Sequence, residues 1–117
     1  MIRLESQRGR IHLRMTALFL GRDLCVTLSG GDQAHIGAVA LSPAGGAQTP
    51  VLVLPGHREE EVAQTIATRL AAHQNATVCV ACGIHLDGIL PREIQDVLEM
   101  SQELTGQLCQ HLEIQRL

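Results

Sequence analysis

The 117-residue chain can bury roughly two thirds of its unfolded surface, enough for one core and not two. It has no Lys, Trp or Tyr and a single Phe, Phe19, which excludes a lysine Schiff base, a P-loop lysine and an aromatic platform for single-stranded nucleic acid. A net charge of −3 argues against binding a phosphate backbone, and 45% apolar with 18% charged residues reads as globular rather than disordered.

Residues 10–20, RIHLRMTALFL, alternate. Ile11, Leu13, Met15, Ala17 and Phe19 fall on one face and His12, Arg14 and Thr16 on the other, the period of a strand. Gly21-Arg22-Asp23 is a turn, and 24–28, LCVTL, is a second strand, antiparallel because the connection is short. Ser29-Gly30-Gly31-Asp32 is the next turn, and 35–42, HIGAVALS, a third strand. The loop PAGGAQTP, with two Gly and two Pro, is expected to be the most flexible piece. VLVLP at 51–55 is a short apolar strand ended by Pro55-Gly56. Residues 58–73 are helical, with Val62, Ile66 and Leu70 on one stripe, Ala63, Ala67 and Ala71 beside it, and Glu59, Glu60 and Glu61 in the first turn. TVCVACG at 77–83 is a strand, and Pro91 opens a last helix with Ile94, Val97, Leu98, Leu104, Leu108 and Leu112 inward. The pattern β-β-β-β-α-β-α predicts one domain over residues 1–117. Its class is α+β in two layers, a mixed, mainly antiparallel sheet with two helices on one face. The other face is left open. The strand at 24–28, apolar on both sides apart from Thr27, predicts that a second copy covers it, the alternative being that the N-terminal residues fold over that face.

No stretch reaches the ~18 apolar residues of a membrane helix. Residues 1–5 lack a signal-peptide core, with Arg at 3, 8, 10 and 14. The expectation is a cytoplasmic protein with its four cysteines reduced. Cys79 and Cys82 form a C-x-x-C, but on a strand they point to opposite faces and can share neither a metal nor a disulfide. Cys25 and Cys109 have no partner at metal-ligand spacing.

Of the six histidines, His12 lies on a polar strand face, and His73 and His111 lie near helix C-termini, where an imidazolium suits the dipole. The other three are punctuated. His35 follows Gly30-Gly31-Asp32, His57 follows Pro55-Gly56, and His85 follows Cys82-Gly83-Ile84 with Asp87 two residues on. If the strands at 51–55 and 77–83 are parallel neighbours, His57 and His85 leave the sheet at one edge, where ligands of parallel strands bind. Arg58 is the cation flanking this group and can pair a phosphate bidentately or, alternatively, pair with Glu59, Glu60 or Glu61, three carboxylates that count against a bare phosphate at this helix start.

Three blocks, G-G-D-x-x-H-I-G-A-V-A at 30–40, L-P-G-H-R-E-E-E at 54–61, and G-I-H-L-D at 83–87 with P-R-E-I-x-x-V-L at 91–98, resemble the small prenylated-flavin chaperone family. These are accessory subunits of gallate-type decarboxylases, and the resemblance spans nearly the whole chain. It implies a homodimer with the fold of proteasome-assembly chaperones. It also implies binding of reduced prenylated FMN, carried and not used, and its delivery to an apo-decarboxylase of the UbiD type, with no reaction catalysed by the chain itself. Within the shared blocks, Gly30, Gly31, Asp32, His35, His57, Arg58, His85 and Asp87 are the candidate cofactor-binding residues. The chain departs from expectation at Leu90, where a helix-capping hydroxyl would sit. Two other readings stand beside this one. A metal-dependent enzyme would use His35, His57, His85 and Asp87 as ligands, and a pure assembly factor would bind no small molecule.

Overall fold

The alternating segment at 11–19 forms the longest strand, and the sheet grows outward from it. The structure, a computed structural model, describes residues 1–56 and 59–115. In chain order the elements are β1 (Ile2–Arg8), β2 (Ile11–Leu20), β3 (Asp23–Gly31), β4 (Ala38–Ser42), β5 (Leu52–Val53), α1 (Glu60–Gln74), β6 (Val78–His85) and α2 (Pro91–Gln115). The six strands form one sheet in the order β1-β2-β3-β6-β4-β5. Only β3 and β6 pair in parallel. The sheet is therefore mixed and mainly antiparallel, as the sequence predicts.

One strand was invisible in the sequence. β1 has apolar residues only at Ile2 and Leu4 before its inward positions become Ser6 and Arg8. It forms because Gly9-Arg10 is a two-residue turn that zips it onto β2 from Arg8↔Ile11 to Ile2↔Ala17. The third and fourth predicted strands shrink instead. Residues 35–37 leave the ladder, so β4 starts at Ala38, and only Leu52 and Val53 of VLVLP pair with it. β4 also separates β5 from β6. The two run in the same direction, both antiparallel to β4, but are not neighbours. The PAGGAQTP loop is tied down by bonds from Gly45 N to Ala71 O, Ser42 Oγ to Ala47 O and Gln64 Nε2 to Thr49 O.

Both helices cover one face. α1 packs on β4 and β6, α2 on β1 and β2, and each packs on the other. Leu13, Met15, Val26, Leu28, Val78 and Val80 of the sheet meet Ile66 and Leu70 of α1 and Met100, Leu104 and Leu108 of α2. The α1 stripe is the one the sequence predicts. It ends at Asn75, whose left-handed backbone (φ 48°) turns its N–H back to Ala71 O. In α2 the stripe runs through Glu93, Val97, Met100 and Leu104, so Ile94 is exposed rather than inward. The expected capping hydroxyl is replaced by the reciprocal half of a capping box: Leu90 N donates to Glu93 Oε1 at 3.1 Å. No helix among the described residues is long and apolar enough to cross a membrane.

On the open face, β3 is less apolar than its sequence suggested, because Cys25 and Thr27 occupy it while Leu24, Val26 and Leu28 turn to the core. The exposed apolar surface there comes from neighbouring strands, from Leu18 and Leu20 of β2 and Leu41 of β4.

Candidate functional site

β3 and β6 end together at Gly31↔His85, and β5 leaves the sheet in the same direction. Their exits lie at the carboxyl edge, where parallel strands present loops to a ligand. Two glycines let the chain fold back over that edge. Gly31 has φ +79°, and a Cβ there would lie 2.0 Å from His85 O. The following amide, Asp32 N, donates to that same oxygen at 2.6 Å. The segment 32–37 then crosses β6 so closely that a Cβ on Gly83 would lie 1.8 Å from His35 O. Gly37 N closes the crossing on Cys82 O at 2.9 Å, and Leu54 N donates to Gly37 O at 2.8 Å, which brings the exit of β5 to the same place.

This crossing sorts the predicted residues into two groups. In the first, His85 Nε2 lies 2.9 Å from Asp87 Oδ1, and Asp32 Oδ2 accepts from Asp87 N at 2.7 Å. Asp32, His85 and Asp87 thus form one hydrogen-bonded set. In the second, His35 is turned inward. Its Nε2 lies 3.2 Å from Glu59 Oε1 and its Nδ1 3.2 Å from Gln33 O. His57 and Arg58 lie outside the described residues; in the chain they join Gly56 to Glu59.

Three residues of this edge were not singled out by sequence reasoning. Glu59, only 9% exposed, is the first. Its Oε1 accepts from Ile84 N at 3.3 Å as well as facing His35. β4 pairs with β6 only as far as Ala38↔Cys82, so the carboxylate takes the place of the missing strand for the next outward amide. Burial, and then the charge of Glu59, push the nearby Cys82 thiol up to about 12. The signal for Glu59 was its place inside the L-P-G-H-R-E-E-E block, directly before the helix.

Arg10 and Glu93 are the others. Arg10, in the β1–β2 turn, grips Glu93 bidentately at 2.8 and 2.9 Å and donates from Nη2 to Asp87 O at 2.8 Å. Its Nη1 also stands 3.9 Å from Asp32 Oδ2. Arg10, and secondarily the Leu90 N–H, hold the Glu93 carboxyl at about 2. Arg58 is therefore not the one cation flanking the group, as the sequence implied. No local signal pointed to Arg10, which lies 77 residues from Asp87 in the chain.

The edge is rimmed by apolar side chains that face outward: Ile36 (61% exposed), Leu54 (54%), Ile89 and Leu90. An open recess beside Arg10 and Asp87 is bordered by Arg8, Leu90 and Arg92. Of the apolar rim only Leu90 borders this recess, whose other exposed side chains are charged, with Arg8, Arg10 and Arg92 set among Asp87, Glu93 and Asp96. Each carboxylate of the edge has a partner: Ile84 N for Glu59, Asp87 N for Asp32, the His85 ring for Asp87, and Arg10 with Leu90 N for Glu93. Among the described residues, no group of three or more His, Cys, Asp or Glu could hold a metal ion.

No curated protein is significantly similar to the chain. The family model described as prenylated flavin chaperone LpdD-like domain matches residues 7–113, a span that contains both hydrogen-bonded groups, the crossing segment and Arg10. The match covers most of the chain, and the chain belongs to the prenylated flavin chaperone family of LpdD-like domains.

Proposed function

We propose that this protein binds reduced prenylated FMN at the carboxyl edge of β3 and β6 and delivers it to an apo-decarboxylase of the UbiD type. It works as a homodimer and catalyses no reaction itself. The observation that carries the reading is the family match over residues 7–113, which takes in this edge entire. The geometry adds support. His35 and His85 stand at the edge, Gly31 turns the chain back over it while Gly30 lies in β3 against the His12 carbonyl, and Asp32 and Asp87 fix the His85 loop. Ile36, Leu54, Ile89 and Leu90 offer apolar surface to the ring system and the prenyl unit. With no Trp or Tyr to stack on the isoalloxazine, holding rests on these aliphatic contacts and on polar groups. That suits a carrier that must release its load.

Arg58, inside the L-P-G-H-R block, is the proposed phosphate partner, with His57 beside it. Losing a charge-assisted contact of this kind costs ~1.5–3 kcal/mol, or roughly ten- to a hundredfold in affinity. Arg58→Ala is expected to weaken binding by that factor while leaving the fold intact. His12→Ala and His73→Ala, whose rings lie beside Glu5 and Glu113 instead, are expected to change nothing.

The test is anaerobic titration with reduced prenylated FMN, followed by absorbance and native mass spectrometry. A saturable complex that then activates an apo-decarboxylase supports the reading. A chain with no affinity for the reduced cofactor and no effect on any such enzyme overturns it.

A further inference from the structure

Cys25 and Cys79 meet across the two parallel strands at the centre of the sheet. β3 and β6 pair from Leu24↔Val78 to Gly31↔His85, which sets Cys25 opposite Cys79. Both are on the open face. Their chain neighbours Leu24, Val26, Val78 and Val80 are buried under the helices, whereas these two free thiols are only half-buried. In-register neighbours on adjacent strands lie about 4.8 Å apart, inside the roughly 4.4–6.8 Å between Cα atoms that a disulfide spans. The thiols also sense one another: burial first, and then Cys25, push the Cys79 thiol up. Neither Cys82, on the core side of β6, nor Cys109, in the buried stripe of α2, belongs to this pair.

We propose that Cys25 and Cys79 are a modification site, a dithiol that hydrogen peroxide closes to a reversible cross-strand disulfide. One thiolate attacks a peroxide oxygen. The O–O bond breaks, a sulfenic acid forms, and the departing hydroxide takes up the thiol proton as water. The second thiol then attacks the sulfenic sulfur, the S–S bond forms, and a second water leaves. Two sulfurs are oxidised by two electrons in total, and the two peroxide oxygens are reduced. Side chains of parallel neighbours stand side by side rather than converging, so the disulfide is strained and readily reduced by a small dithiol. A thiol pushed up is mostly protonated at neutral pH, so closure is slow at pH 7 and faster at pH 9. A second copy on the open face slows the reaction without changing its product. Reduced flavins meeting dioxygen release peroxide, so a carrier of such cargo meets this oxidant. The inference needs only peroxide, and it stands or falls independently of cofactor binding.

The experiment treats the native protein with hydrogen peroxide at pH 9, blocks remaining thiols, and reads intact mass and a peptide map. The expected result is loss of two hydrogens per chain, a linked peptide carrying Cys25 and Cys79, and full reversal by dithiothreitol. Cys25→Ser and Cys79→Ser should each abolish the linkage, and Cys82→Ser should keep it. Pairing through Cys82 or Cys109, a disulfide between chains, or irreversible oxidation of Cys25 or Cys79 in place of the linkage overturns the proposal. The wild-type map alone decides the matter if either serine variant fails to fold.

Discussion

Glu93 has two tasks because of where it stands, three residues after Leu90 and across from the β1–β2 turn. It caps the backbone at the start of α2 and anchors Arg10, which in turn holds the Asp87 carbonyl. Its carboxyl is held at about 2, below the ordinary 4.5, chiefly by the Arg10 hydrogen bonds. A carboxyl depressed in the folded state adds stability above its unfolded value and loses it as pH falls toward the folded one. The melting temperature of the wild type should therefore fall between about pH 4.5 and pH 2 more steeply than that of Glu93→Gln. The gap between the two should be widest near neutrality and close near pH 2. Parallel curves in circular dichroism melts across that range would remove Glu93 from the account of acid sensitivity.

The segment 32–37 is the element on which the site depends, and its path is set by residues that lack a side chain. It crosses β6 at Gly83, with the His35 carbonyl in the space a Cβ would fill. Gly83→Ala must push the crossing outward and separate His35 from Glu59. Overpacking of this kind costs about 1–3 kcal/mol, so the variant should melt lower and bind the reduced cofactor more weakly. Unchanged binding would show that the crossing does not shape the site. β6 also settles the C-x-x-C. Cys82 is buried in the core and Cys79 lies on the open face, as the strand period required. Cys79→Ala/Cys82→Ala should keep cofactor binding and lose only the packing of two small side chains. A stoichiometric metal present in the wild type and absent from that variant would contradict this.

At the scale of the whole molecule, a single layer of helices leaves one sheet face bare. Leu20 is 62% and Leu41 53% exposed there, with Leu18 beside them. Towards its centre the face becomes more polar, where Thr16 and Thr27 hydrogen-bond to one another across β2 and β3. Apolar surface of this extent is expected to be covered by a second copy. Light scattering should give twice the 12.6 kDa chain mass at micromolar concentration. Leu20→Glu with Leu41→Glu should return it to one chain mass. A wild-type chain that scatters as a monomer ends the dimer reading.

Wherever burial repeats along the chain, the sequence alone was enough. The alternation of β2, the α1 stripe, the Pro91 start of α2 and the opposed faces of Cys79 and Cys82 all follow from the periods of strand and helix. The three blocks that mark the family could likewise be read directly, because their glycines and histidines are local punctuation. Tertiary structure decided what depends on partners far apart in the chain. β4 inserts between β5 and β6, which no periodicity encodes. Arg10 reaches Asp87 and Glu93, Glu59 takes the place of a strand for Ile84, and Cys25 finds Cys79. Each of these contacts joins residues that no sequence window contains together, so the sequence specified the groups, and the packing of the sheet specified which of them meet.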